Sequence, residues 1–297
     1  MTSAVRGKGL NNMMELNSAA IYRFCGRALA LSAACAAFWC AAPEKAAAEA
    51  RVTAGVEHFN WGEYSNGTKV LDESGLRYAV GFTWLLDGQS GLLLGYNGKY
   101  YLGDVKYGGQ SCASSGQCSP FSTNNGYNGM LNEMVLHYRL DSEIKPDETN
   151  RHYLDLVTGL GLDYWIRDIK GNGGVASYKE TYIIGFLRAG LAMLPVKSGM
   201  EVAAGLKYPL YLDETVNFKS AGLADADLVL SPKPELSYYL SLGWRFNDSL
   251  SVTFDFDSYR FSQSAPVSYT VGGATAGSKV QPESRMEVIT LKAGYSF

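Results

Sequence analysis

Apolar and polar side chains alternate along the chain from Leu236 to Asn247. Successive side chains of a β-strand point to opposite faces, so this segment predicts a strand with one apolar and one polar face. The run from Leu250 to Phe256 repeats the pattern after residues 248–249. So short a connection between two amphipathic runs predicts a tight hairpin.

Ten runs of this kind follow residue 50. We predict strands at 51–60, 75–86, 90–101, 128–140, 151–166, 179–194, 199–212, 235–247, 249–261 and 284–297. Long polar connections at 61–74, 102–127, 167–178, 213–234 and 262–283 are separated by the shorter ones at 87–89, 141–150, 195–198 and 248. Transmembrane barrels have short periplasmic turns and long external loops. We therefore predict an all-β fold, a transmembrane antiparallel up-and-down β-barrel of about ten strands, with both termini in the periplasm.

Composition removes several other classes. After the first fifty residues, no apolar run reaches the ~18–20 residues that a membrane-spanning helix needs. The net charge is −3, and the chain has no basic stripe or nucleic-acid-binding motif, so we expect no nucleic acid partner. The 20 Tyr and 33 Gly residues suit a β protein with many turns and amphipathic aromatic surfaces.

Aromatic residues cluster near the predicted strand ends. On the periplasmic side we expect Trp84, Tyr138, Trp244, Phe246, Tyr295 and Phe297. On the outer side we expect Tyr78, Tyr164, Tyr208, Tyr238 and Tyr259. Tyr and Trp combine an apolar body with a polar tip, which suits the headgroup zone of a bilayer. The alternative is that these rings pack in a soluble core.

The first fifty residues have the pattern of an export signal. Arg23 and Arg27 precede a short apolar run that ends at Cys40, and Ala48 and Ala50 supply small residues for a signal peptidase. We predict a signal peptide at 1–50, cleaved after Ala50, and a barrel at 51–297. The alternatives are an amphipathic N-terminal helix and a lipoprotein.

Cleavage after Ala50 leaves two of the five cysteines, Cys112 and Cys118. An even pair of cysteines in an exported chain predicts a disulfide. This disulfide would close a small Gly/Ser-rich loop, and the pair implies no metal or redox site.

The C-terminal segment ends in Phe297, with Tyr295, Ala293, Leu291 and Ile289 at every second position before it. It resembles the C-terminal signature of bacterial outer-membrane β-barrels. The resemblance implies localisation in the cell outer membrane and recognition of Tyr295 and Phe297 by the barrel-assembly machinery. The surrounding lipid and lipopolysaccharide would be its other partners, together with an extracellular ligand of unknown identity.

The polar faces of the strands define the predicted lumen. Its ionisable residues nearly balance in sign: Glu57, Arg77, Lys99, Glu133, His137, Arg139, Asp155, Asp163, Arg167, Arg188, Glu201, Lys207, Arg245, Asp255, Asp257 and Lys292. A ten-stranded barrel is narrow, and isolated buried charge is costly. The charges therefore predict either a salt-bridge network that makes the barrel rigid or a narrow, water-filled passage.

The predicted size is similar to that of the omptin proteases, whose sites combine an Asp pair with an Asp-x-His pair. This chain has no Asp-x-His, and its Asp255-x-Asp257 has no visible His partner. His58 and Glu57 fall on opposite faces of one strand, which does not form a catalytic dyad. No other hydrolase, nucleotide or metal motif occurs. We therefore predict no enzyme activity and no cofactor.

Acidic residues in or near the external loops could bind divalent cations, but such residues are usually only solvated. They are Asp72, Asp104, Asp213, Glu214, Asp225 and Asp227. The functional hypothesis is a non-catalytic outer-membrane barrel, structural or ligand-binding, whose loops at 102–127, 213–234 and 262–283 form the contact surface. The alternatives are a narrow porin-like channel for ions or small solutes, and an omptin-like or lipid-modifying hydrolase.

Overall fold

A computed structural model describes residues 48–87, 91–112, 118–140, 152–171 and 176–297. The predicted signal segment up to residue 47 lies outside the described residues. Fourteen strands occur in the described part of the chain. They are β1 (Ala48–Ser65), β2 (Thr68–Asp87), β3 (Leu92–Cys112), β4 (Cys118–Arg139), β5 (His152–Ile169), β6 (Tyr178–Pro195), β7 (Gly199–Val216), β8 (Leu228–Leu230), β9 (Lys233–Glu235), β10 (Ser237–Arg245), β11 (Leu250–Ser262), β12 (Val267–Val271), β13 (Ala274–Lys279) and β14 (Glu283–Ser296).

Ten of these strands form a closed antiparallel barrel. Strands β1 to β7 pair in chain order, β7 pairs with β10, β10 with β11, β11 with β14, and β14 with β1. The short strand β8 extends the sheet beside the end of β7, and β9 pairs with the end of β11. Strands β12 and β13 form a separate hairpin. The predicted up-and-down barrel is confirmed.

The pairing register shows how strongly the strands are inclined. Followed through β2 to β6, the row that starts at Glu57 reaches β7 at Val216, whereas followed through β14, β11 and β10 it reaches β7 at Ala203. One residue of this offset is the extra one at a β-bulge opposite Gly185 and Phe186. Such a stagger requires strands tilted by roughly 35–45° from the barrel axis.

An apolar belt covers the outside of the barrel. Alternate side chains of all ten strands contribute to it, including Val52, Val56, Leu76, Val80, Tyr100, Leu102, Met130, Leu156, Leu160, Leu187, Leu191, Leu206, Leu210, Tyr211, Leu242, Val252, Phe254, Ile289 and Leu291. No helix among the described residues is long and apolar enough to cross a membrane.

Most of the aromatic residues predicted at the membrane interfaces lie on the outer surface of the barrel, among them Tyr78, Tyr138, Trp244 and Tyr295. The prediction for Tyr259 was wrong, because this side chain is fully buried inside the barrel. The reason is parity. Tyr259 stands two positions from Asp257 and therefore shares its inward face.

Short turns connect the strands at the end of the barrel where the described chain begins and ends, which we call the terminal end. Residues 196–198 and 246–249 form two of these turns, where short connections were predicted at 195–198 and 248. Asn247 fixes the second turn, since its Oδ1 accepts hydrogen bonds from the backbone N–H groups of Ser249 and Leu250 at 2.9 and 2.8 Å. The connections at 88–90 and 141–151 lie outside the described residues.

At the opposite end, which we call the loop end, the strands continue well beyond the belt. The segments predicted as loops at 61–74 and 102–127 are mostly strand, because β1 and β2 extend to a two-residue turn and β3 pairs with β4 up to Cys112 and Cys118. The turn is Asn66-Gly67, and both residues have positive φ, which suits a tight hairpin turn. The prediction missed these extensions because beyond a membrane the outward face is polar and the alternation disappears.

Candidate functional site: the filled lumen and its outer chamber

Charged side chains fill the terminal end of the lumen. The Glu201 carboxylate binds Arg245 at 2.8 Å and Arg51 at 3.3 Å. These ion pairs join β7 to its neighbour β10 and to β1, which does not pair with β7. Glu49 adds a second carboxylate to the same two guanidinium groups. Cleavage after Ala50 would remove Glu49 but leave both bonds to Glu201.

A second ion-pair group lies on β4 and β5. The buried Asp155 carboxylate is 3.3 Å from Arg139 Nε and 3.3 Å from His137 Nδ1. The Arg139 guanidinium also stacks on the ring of Tyr153 at 3.6 Å. These contacts hold the side chains in one arrangement and leave them little freedom to move within the lumen.

Farther along the lumen, Glu57 is fully buried between two cations. Arg77 and Lys99 each approach its carboxylate to 2.7 Å. The Arg77 guanidinium lies between the rings of Phe59 and Tyr101, at 4.4 and 4.3 Å from the ring centres. A buried carboxylate with two cationic partners avoids the cost of an isolated charge.

A cavity of about 270 Å³ lies beside this group. Three further ion pairs line its wall: Glu133 with Arg188 at 2.7 Å, Asp255 with Lys292 at 2.5 Å, and Asp257 with Lys207. Nearby, the buried Asp163 accepts a hydrogen bond from the Tyr101 hydroxyl at 2.9 Å. All thirteen residues of the predicted charge network thus face the lumen and contact a polar partner.

An apolar cluster crosses the lumen on the loop-end side of the cavity. Nine of the ten barrel strands contribute buried side chains to it. Its centre consists of five rings that are at most 2% exposed, and we call it the aromatic layer: Trp61, Trp165, Tyr182, Tyr259 and Phe261. Neighbouring ring centres lie 4.9 to 6.4 Å apart, within the range of aromatic contacts. The sequence contained a signal for this layer. Its aromatic residues occupy positions that alternate in step with the lumen residues, near the outer ends of the predicted strands.

Beyond the aromatic layer lies a group of buried ionisable side chains that we call the outer chamber. It consists of Glu63, Glu73, Arg167, Glu180 and Glu214, contributed by five different strands. On their strands these residues stand farther toward the loop end than the last strongly exposed apolar residues of the belt, which are Val56, Leu76, Leu160, Leu187 and Tyr211, respectively. The outer chamber is therefore outside the apolar belt.

Arg167 is the central cation of the outer chamber. Its guanidinium contacts Glu180, and it lies 3.4 Å from Glu63 and 3.6 Å from Glu73. Burial acts to lower the pKa of Arg167, but the neighbouring carboxylates outweigh burial and raise it well above its usual value. Arg167 is therefore a permanent positive charge.

Three of the four carboxylates have further polar partners. Asn125 and the Tyr127 hydroxyl donate hydrogen bonds to Glu73. Gln281 Nε2 donates to Glu63 at 3.1 Å, and Lys279 Nζ lies 3.8 Å from Glu180. The fourth carboxylate belongs to Glu214.

Both carboxylate oxygens of Glu214 are buried, and neither has a hydrogen-bond partner in the described part of the chain. Burial raises the pKa of Glu214 well above its usual value, and repulsion from Glu180 raises it further. The prediction of a solvated loop acid at this position was wrong, because β7 extends to Val216 and turns the Glu214 side chain inward.

Two other acids predicted in or near the loops have different surroundings. Asp213 is a strand residue too, whereas Asp225 accepts hydrogen bonds from the backbone N–H groups of Gly272 and Gly273, each at 2.9 Å. Within the described ranges, no group of three or more His, Cys, Asp or Glu side chains could hold a metal ion.

The histidines considered for catalysis have separate surroundings. His137 contacts Asp155 near the terminal end, and His152 begins β5. His58 is exposed on the outside of β1, where its Nε2 lies 3.4 Å from the hydroxyl of Ser74 on β2. The partner of His58 came from the neighbouring strand, so reading one strand at a time could not find it.

Cys112 and Cys118 occupy directly opposite positions on β3 and β4. Their side chains lie outside the described part of the structure. The disulfide between them stays a prediction.

No protein-family model matches the chain, and no curated protein matches it. Among solved structures, the outer-membrane protease OmpT from Escherichia coli has a TM-score of 0.51 and 14% sequence identity, over 85% of this chain and 97% of that one. The fold is that of a bacterial outer-membrane β-barrel. The translocator domain of the autotransporter NalP from Neisseria meningitidis (TM-score 0.39, 12% identity, 95% and 98% covered) and the outer-membrane protein OprG from Pseudomonas aeruginosa (0.35, 10%, 85% and 97%) are also similar.

The barrel therefore lies in the cell outer membrane. Its apolar belt is the lipid-facing surface. In barrels of this fold the short turns face the periplasm and the long loops face the outside, which corresponds here to the terminal end and the loop end. The outer chamber lies on the loop-end side of the aromatic layer, beyond the lipid-facing belt.

Proposed function

We propose that this outer-membrane barrel is sealed and non-catalytic, and that it presents an ordered external rim to a surface ligand. The aromatic layer is the observation that carries the proposal. Its five rings are buried, and the cluster around them joins nine of the ten barrel strands. Close packing of these buried rings, like that of a protein interior, supports a lumen closed to water and ions.

The channel alternative would need a continuous polar path. The cavity beside Glu133 and Asp257 is polar, but it lies on the periplasmic side of the aromatic layer. The charges that line it are paired with one another. Paired charges in a narrow barrel favour a rigid interior over a selective pore.

The external rim supports the ligand-binding part of the proposal. The segments predicted as contact surface are 102–127, 213–234 and 262–283. They contain the β3–β4 extension, β8, most of β9 and the β12–β13 hairpin. Asp225 attaches the tip of that hairpin to the segment before β8 through Gly272 and Gly273. A rim ordered in advance loses less conformational entropy on binding than flexible loops do.

Two arginines support lipopolysaccharide as a partner. Arg260 on β11 and Arg285 on β14 occupy opposite positions just beyond the belt on the outward face. Their guanidinium groups stack on Tyr238 and Tyr64, at 5.1 and 4.7 Å. Arginine is well suited to phosphate groups, such as those of lipopolysaccharide.

One contact favours a second candidate function, a lipid-modifying hydrolase. The exposed His58 lies within 3.4 Å of Ser74 Oγ, close to the belt residue Leu76. A serine beside a histidine can act as a nucleophile with its general base. Hydrolysis of a lipid ester that disappears in both Ser74→Ala and His58→Ala, in a folded protein, would establish this function against the non-catalytic one.

A vesicle experiment tests whether the barrel is sealed. The protein, folded into vesicles loaded with potassium ions, should leak no faster than protein-free vesicles do. A heat-dependent shift in gel mobility reports folding in the same sample. Rapid leakage from folded protein would replace the sealed barrel with the channel.

A further inference from the structure

Glu214 stands apart from every other acid of the outer chamber. Its side chain is fully buried, and both oxygens are without a hydrogen bond in the described residues. An ionised carboxylate in this position would carry a large desolvation cost with no direct partner to offset it. Something must neutralise it.

The surrounding charges increase the need for neutralisation. Four buried carboxylates, those of Glu63 on β1, Glu73 on β2, Glu180 on β6 and Glu214 on β7, face the single buried guanidinium of Arg167 on β5. A second cation, Lys279 at the end of β13, is partly exposed and approaches Glu180. The hydroxyl groups of Tyr127 on β4 and of Tyr182 on β6 donate to Glu73 and Glu180. Negative charge is in excess.

A metal ion does not fit this excess. No three acidic or histidine side chains of the described residues converge on one point, and the guanidinium of Arg167 already occupies the centre of the carboxylates. The chamber is also covered. Tyr182 lies opposite Glu214 on the neighbouring strand β6, and Leu230 lies opposite it on β8, where it belongs to a second apolar cluster. A proton is small enough to enter without rearranging these walls.

We propose that Glu214 is a proton-binding site of the outer chamber, neutral when the external medium is near neutral pH. The proton comes from external water, and its uptake removes one negative charge from the chamber. Repulsion between Glu214 and Glu180 then disappears, and Arg167 and Lys279 balance most of the remaining charge. Release of the proton would place two carboxylates against each other in a closed space.

The site couples the rim to external pH. Burial is the main cause that raises the pKa of Glu214, and repulsion from Glu180 is the next. Between the ordinary and the raised pKa, the folded chain therefore holds a proton that the unfolded chain has released. Stability contributed by this group is therefore present at low pH and falls as pH rises from the ordinary carboxyl value of about 4.3 toward the folded value. Strands β7 and β8, which cover Glu214, should loosen first.

Infrared difference spectroscopy on the folded full-length chain tests the proposal directly. At neutral pH the wild type should show the carbonyl stretch of a protonated carboxylic acid, and this band should appear in the difference spectrum between the wild type and Glu214→Gln. Glu283→Gln, which changes an exposed acid paired with Arg285, is the matched control and should keep the band.

Hydrogen exchange at residues 210–216 and 228–230 provides the second readout. After correction for the intrinsic rate, wild-type protection should fall by about tenfold for each pH unit between the ordinary carboxyl value and the raised value of folded Glu214. Glu214→Gln should show no such fall, while Glu283→Gln should behave like the wild type. The absence of a protonated-acid band in the wild type would overturn the proposal. So would protection that depends on added Ca²⁺ or Mg²⁺ and disappears with a chelator.

Discussion

Trp165 on β5 stacks on Tyr182 on β6, with ring centres 4.9 Å apart and ring planes inclined by 18°. The two residues are direct partners in the strand register. Trp61 meets both rings edge-on from β1, on another part of the barrel wall. Contacts of this kind between separated strands form the aromatic layer. They pack this level of the barrel interior in the way that a protein core is packed.

Truncation of Trp165 should destabilise the barrel. Trp165→Ala removes a fully buried ring and leaves a cavity, which costs about 3–5 kcal/mol in the free energy of unfolding. Denaturant titration of the protein in lipid vesicles measures this change. Trp244→Ala, which removes an exposed lipid-facing ring at the periplasmic girdle, is the control and should cost less. Equal losses would mean that the aromatic layer is loosely packed.

Removal of the central cation of the outer chamber should be similarly severe. Arg167→Met leaves Glu63, Glu73 and Glu180 buried without their shared partner, and breaking a buried ion pair in this way costs about 3–5 kcal/mol. The same denaturant titration checks it.

The matched control for Arg167 is Arg285→Met. The pair of Arg285 with Glu283 is exposed, and an exposed pair contributes at most about 1 kcal/mol. A loss at Arg167 no larger than that at Arg285 would contradict the description of the outer chamber as a buried network.

The β1–β2 turn depends on the backbone of Gly67. Its φ is 77°, and nothing lies within 4 Å of the position that a Cβ would occupy. Gly67→Ala should therefore cost roughly 1 kcal/mol through backbone strain alone. Gly108→Ala on β3 is the control, since it lacks the positive φ and has only an ordinary contact at 3.7 Å. A stable Gly67→Ala protein would show that the turn adopts another conformation.

The hydrogen bonds from Gly272 and Gly273 to Asp225, which we call the Asp225 clamp, should break in acid. Hydrogen bonds from the backbone of Gly273, then from Thr270 and the backbone of Gly272, lower the pKa of Asp225. The group therefore stabilises the clamp above its ordinary pKa, and this contribution is lost as pH falls through the lowered value. Exchange of the Gly272 and Gly273 amides should accelerate in acid beyond the intrinsic rate. Asp225→Asn should weaken this pH response; an unchanged response would contradict the assignment.

The membrane-spanning part of the fold could be predicted closely from the sequence. The predicted strand at 235–247 contains β10, and the one at 284–297 differs from β14 by a single residue at each end. Lipid on one side and a polar lumen on the other impose alternation, so the pattern is legible in each strand alone. The external extensions lack this contrast, because both water and the rim accept polar side chains.

The partners within the lumen could not be predicted in the same way. Arg51 and Glu201 are 150 positions apart in sequence, and only the stagger of the closed barrel brings them together. The inward parity of Glu63, Glu73 and Glu180 depends on strands continuing beyond the belt. The predicted cleavage after Ala50 and the Cys112–Cys118 disulfide stay predictions, which the mass of the exported protein before and after reduction would check.

Single-channel recording across a planar bilayer tests the sealed barrel most directly, by comparing the wild type with Trp61→Ala/Trp165→Ala, whose changes remove two rings of the aromatic layer. We expect the folded wild type to give no conductance steps, and the double variant, where it folds, to open a polar path from the periplasmic cavity to the outside. Discrete steps from the folded wild type, shifted in ion selectivity by charge reversal at Arg77 or Asp255, would contradict the account and establish a channel.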